Sequence, residues 1–158
     1  MNKNKTNKKA LALHESGEDT EAEAVARRAV ETAVRTYGEG NPVSVYAFNV
    51  LAKVLLAKGD VEGAEQLARH KLESTERKLG PANLHCAIPA RTLAQVLLQK
   101  GDLAGAEPLA RRALKIFRRV KGDTHKDTRE AAEAVRAVLR GRGGGDAEIA
   151  RLEEAHGI

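Results

Sequence analysis

A fifteen-residue passage occurs twice in this chain, nearly letter for letter, at a spacing of 42 positions. Leu51–Glu65 reads LAKVLLAKGDVEGAE, and Leu93–Glu107 reads LAQVLLQKGDLAGAE. Glycines keep the same step. Gly17, Gly59, Gly101 and Gly143 form one series, and Gly38, Gly80 and Gly122 form another. A fixed period of this length marks a repeat architecture, in which each unit buries its apolar face only against its neighbours. That constraint excludes most folds before any other residue is read. A helical-repeat binding scaffold is expected.

Composition narrows the choice further. Aromatic residues are 3% of the chain, so the core has to be built from Ala, Leu and Val. Such a core suits closely packed helices, whereas a sandwich or barrel would draw on β-branched and aromatic residues. The first helix is expected from Asn7 to Gly17 and the second from Thr20 to Tyr37, with Ala22, Val25, Ala26, Ala29 and Ala33 on one face. Asn41-Pro42 opens a third: the Asn side chain caps free amides, and proline fits the first turn, where its missing N–H costs nothing. This helix, running to Lys58, is apolar on more than one side and is expected to be covered on both flanks. Gly59-Asp60 ends it and caps the next, and Asn83 and Gly101-Asp102 repeat the plan. The expected organisation is a basic flexible tail at 1–6, helical units at about 7–41, 42–82 and 83–123, and a partial unit at 124–140. A glycine-rich break and a short capping helix then occupy 141–158.

Charge and cysteine content set the context. Lys3, Lys5, Lys8 and Lys9 account for most of the net charge of +5, and without them 23 basic residues face 22 acidic ones. A single cysteine, Cys86, allows no disulfide within the chain. The charged N-terminus has no apolar run behind it, and no stretch is long enough to span a membrane, so a cytoplasmic protein without a membrane partner is expected.

The unit L-A-x-V-L-L-x-K-G-D-x-x-x-A-E-x-L-A-R, followed by a glycine and an Asn-Pro-like helix start, resembles the tetratricopeptide repeat. The resemblance is to the 42-residue variety known from kinesin light chain, and it covers roughly residues 10–140. Leu51, Ala52, Leu55, Gly59, Ala64 and Ala68 match the packing positions of that pattern. Leu93, Ala94, Leu97, Gly101, Ala106 and Ala110 match them again. The resemblance implies an all-α fold, a right-handed α-solenoid of stacked helix-turn-helix repeats. It also implies a non-catalytic module whose concave groove holds a peptide or a partner helix. Two departures stand out: His14 where Leu56 and Leu98 stand, and Lys71 where Ala29 and Ala113 stand. Lys71 is expected to reach solvent along its alkyl stem.

In family members the groove face belongs to the first helix of each unit. Tyr46, Asn49 and Lys53 share that face here, being spaced by three and four. Leu56 continues the face, and the equivalents are Ile88, Arg91, Gln95 and Leu98 one period on, and Asn7, Leu11 and His14 one period back. An amide can hold an extended backbone, and Lys or Arg can take a carboxylate, so the expected partner is a protein or an acidic peptide. Two other readings stay open. Arg111, Arg112, Lys115, Arg118, Arg119 and Lys121 on one helix, with the basic tail, are the features a nucleic acid would use. Self-association through the open ends of a solenoid is the other. His85-Cys86 lacks the paired spacings of a structural zinc site, and nothing in the chain forms a phosphate loop or a nucleophile elbow. No catalytic residue, metal or cofactor is expected.

Overall fold

The computed structural model describes residues 5–17 and 19–158, and among these there is no strand. The helices are α1 (Lys5–Glu15), α2 (Asp19–Tyr37), α3 (Pro42–Ala57), α4 (Val61–Leu79), α5 (Leu84–Lys100), α6 (Leu103–Lys121), α7 (Lys126–Gly141) and α8 (Asp146–His156). They fall into two compact units, Met1–Pro81 and Ala82–Ile158. In the first, α1 pairs with α2, and α3 packs on α1, α2 and α4. In the second, α5 packs on α6 and α7, and α7 carries α8. The expected basic tail at 1–6 lies outside the described residues up to position 4, and Lys5 and Thr6 already belong to α1.

The starts of α3 to α7 each have a local cause. Asn41 and Asn83 accept the amides of Val43 and His85 through their side chains, both at 2.9 Å. Asp60 and Asp102 do the same for Gly63 and Gly105. At α7 the cap is His125, whose Nδ1 accepts from the Asp127 amide at 3.1 Å. Helix ends are of two kinds. Gly101 sits in the left-handed region (φ 81°, ψ 7°) and donates to the carbonyls at the end of α5. Gly80 after α4 has φ 81° but ψ 154°, a region closed to any residue with a Cβ.

The expected coverage of the middle helices on both flanks is what packs the core. Val45, Ala47, Val50, Leu51, Val54 and Leu55 of α3 are all buried, and so are Ala87, Ala90, Leu93, Ala94 and Leu97 of α5. Alanines line the second helix of each unit (Ala22 and Ala26, Ala64 and Ala68, Ala106 and Ala110), which lets helix axes approach closely. The period also repeats polar contacts. Ser44 donates to the Gly38 carbonyl at 2.6 Å, and Thr128, two periods on, donates to that of Gly122 at 2.7 Å. Cys86 stands at the intervening position and is fully buried. Lys58 meets Glu23 at 2.5 Å, and its two-period equivalent Arg142 meets Glu107.

Candidate functional site

α3 presents the open face of the first unit. Tyr46 is 41% exposed, Lys53 is exposed, and Asn49 between them is half-buried. Lys53 makes no ion pair among the described residues, so its charge is available to a ligand. In the second unit, Ile88 and Gln95 of α5 are half-buried. His14 belongs to α1, and its side chain lies outside the described residues.

Arg91, expected beside Ile88 and Gln95 on an open face, is instead buried, with 3% of its side chain exposed. Its Nη1 lies 2.7 Å from Glu130 and 3.4 Å from Asp127, both on α7, and its guanidinium sits 5.5 Å from the centre of the Phe117 ring. Lys121 pairs with the same Asp127. Burial works against the Asp127 carboxylate, but the hydrogen bond from Lys121 and the nearby Arg91 outweigh it and hold its pKa below the ordinary value. The charge of Arg91 is thus already met from within its own unit.

Lys71 also departs from expectation. It is 2% exposed, donates from Nζ to the Glu39 carbonyl, and lies 4.4 Å from the centre of the Phe48 ring. Removal from water pushes its pKa down to about 8, with Glu39 opposing the shift. A lysine at an alanine position finds room because Phe48 turns a ring face to it, a partner that the sequence spacing alone did not reveal.

The basic face of α6 is largely spent on internal contacts. Arg111 is bound to Glu107 at 2.9 Å and to Glu148 of α8 at 2.5 Å; Arg118 meets Asp123 at 2.8 Å, and Arg119 donates to the Ala82 carbonyl at 2.7 Å. The bond from Arg111 holds the Glu148 carboxyl below its usual range. Glu153, 2.9 Å from Arg140, and His156, 3.0 Å from the Asp123 carbonyl, complete the anchoring of α8.

One cavity of about 580 Å³, partly open to solvent, lies in the first unit between α1 and α2, with Val43 of α3 also in its lining. Asn7, 3% exposed, is part of its lining, and the Asn7 Oδ1 is buried without a hydrogen-bond partner. No group of metal-ligating side chains occurs among the described residues, and no helix there is long and apolar enough to cross a membrane.

This arrangement of helix pairs, glycine stops and alanine-lined contacts defines a class of repeat protein, and the comparisons agree. Two family models described as tetratricopeptide repeat match the sequence, over residues 24–71 and 90–127. A kinesin light chain-type protein from Podosopora anserina with nearly identical TPR-like repeats is similar in structure. It has a TM-score of 0.79 and 17% identity, with 96% of this chain and 71% of that one covered. BtubC (BKLC) from P. vanneervenii gives 0.64 and 16%, over 94% of this chain and 67% of the other. No curated protein matches the sequence. The chain belongs to the tetratricopeptide-repeat family. Repeats of this family generally mediate protein–protein interaction.

Proposed function

We propose that the protein is a non-catalytic interaction module that takes an extended, acidic segment of a protein partner along the Tyr46–Asn49–Lys53 face of α3. The observation that carries this reading is the side-chain set on that face. It offers an exposed aromatic ring, an amide and an ammonium group that makes no ion pair among the described residues. The ring supplies apolar contact, the amide can meet a peptide backbone, and Lys53 selects for a carboxylate. Nucleic acid is disfavoured, because Arg111, Arg118 and Arg119 are engaged internally.

Selection from a random peptide library on the immobilised chain tests the proposal. Enriched peptides should carry Asp or Glu and bind with mild salt dependence. A steep salt dependence together with binding of single- or double-stranded nucleic acid would replace this reading with the phosphate-driven one.

A further inference from the structure

The cavity between α1 and α2 becomes legible when it is compared with the same place two 42-residue periods later. There the side chains are Arg91, Phe117, Asp127 and Glu130; in the first unit they are Asn7, Ala33, Val43 and Tyr46. In the second unit the Phe117 ring is fully buried and the Arg91 guanidinium lies against it, held by the two carboxylates. In the first unit the ring is reduced to a methyl group, the guanidinium to an amide, and both carboxylates are gone. The space left is the 580 Å³ cavity, a size typical of sites for small organic molecules, which run to roughly 300–1,000 Å³.

The chemistry of the lining has changed sign as well as volume. Asn7 Oδ1 is a buried acceptor with no donor. Arg28 and Lys9 also line the cavity; Arg28 makes no ion pair among the described residues, and Lys9 is only 3.7 Å from Glu21 at an exposed site. Ala29 and Ala33 supply an apolar wall. A cation of the Arg91 kind would find no carboxylate here. An anion would.

We infer that this cavity binds a small planar aromatic carboxylate that carries an N–H or O–H group. The ring takes the place that Phe117 fills in the second unit and the carboxylate meets Arg28, while the Asn7 amide, covered in the unliganded chain, turns so that Oδ1 accepts from the ligand's donor. This site uses neither Asn49 nor Lys53 and goes beyond the peptide reading.

Indole-3-acetate is a suitable probe, because the chain contains no tryptophan and indole emission reports the ligand alone. Titration should give a saturable rise in anisotropy with Kd of about 0.1–1 mM, the range expected of a ligand this small. Ala33→Phe, which restores the ring found at position 117, should abolish binding, with circular dichroism confirming that the helices persist. Arg28→Glu, at an exposed position that cannot disturb the core, should weaken binding at least tenfold, and Lys115→Ala should leave it unchanged. Neutral indole should bind at least tenfold more weakly than the acid. Absence of saturable binding, or equal binding by the Arg28→Glu variant, would overturn the inference. So would binding of an indole only when it is carried within a peptide, which would assign the cavity to a protein partner.

Discussion

Arg91 Nη1 on α5 lies 2.7 Å from Glu130 Oε2 on α7, with the guanidinium almost wholly out of water. This pair ties two consecutive first helices together, because Arg91 cannot leave Glu130 and Asp127 without stranding a buried charge. Arg91→Ala is expected to destabilise the protein by about 2–4 kcal/mol, toward the lower end for a broken buried pair because both carboxylates keep some solvent. Urea denaturation measures it. Arg91→Met, which keeps the stem against Phe117, should cost less than Arg91→Ala; an equal cost would show that packing contributes little.

Lys71 is the corresponding case in the first unit. Its ammonium group bonds the Glu39 carbonyl above the Phe48 ring. Lys71→Ala is expected to cost about 2 kcal/mol through the cavity and the orphaned carbonyl, and Lys71→Met under about 1 kcal/mol. Unchanged or raised stability in Lys71→Ala would mean that the lysine stem reaches solvent after all.

The same residue gives a pH dependence of definite sign. Burial lowers the Lys71 pKa from 10.5 to about 8. Between those values the unfolded chain holds a proton that the folded chain has released, so stability rises as pH increases through this window. The gain is at most about 3 kcal/mol. It should appear as the difference between wild type and Lys71→Met in urea midpoints at pH 7 and pH 10. A difference that does not grow with pH would place the lysine in a wetter site.

The glycine series should also divide by backbone conformation. Gly101→Ala places a Cβ in the left-handed region at about 1–2 kcal/mol. Gly80→Ala, at ψ 154°, should cost more, because only glycine occupies that region readily. Thermal melts of the two variants rank them directly. Equal midpoints would contradict the distinction.

The period made most of the fold legible. Gly59, Gly101, Asn41 and Asn83 act through neighbours within a few residues, so their roles could be read locally. Arg91 and Lys71 could not be read that way. Whether a cation at a given helix position is solvated or buried depends on Asp127 and Glu130, some 36 to 39 residues on, and on Phe48, 23 residues back. The two-period comparison carries the missing signal, since Glu130 replaces Tyr46 and Asp127 replaces Val43 where Arg91 replaces Asn7. The cap at His125 is harder to read for a simpler reason. Its imidazole nitrogen does what Asn41 and Asn83 do, but histidine is not a residue by which helix starts are usually recognised.

The most direct test of the interaction role is a titration of a library-selected acidic peptide against wild type and the Lys53→Ala, Tyr46→Ala and Arg112→Ala variants. A charge-assisted bond is worth about 1.5–3 kcal/mol, so losing Lys53 should weaken binding roughly ten- to a hundred-fold. Tyr46→Ala should weaken it comparably through lost ring contact, and Arg112→Ala, on α6, should leave it unchanged. Equal losses at Lys53 and Arg112 would indicate diffuse charge attraction, and a loss at Arg112 alone would contradict the assignment of the site to α3.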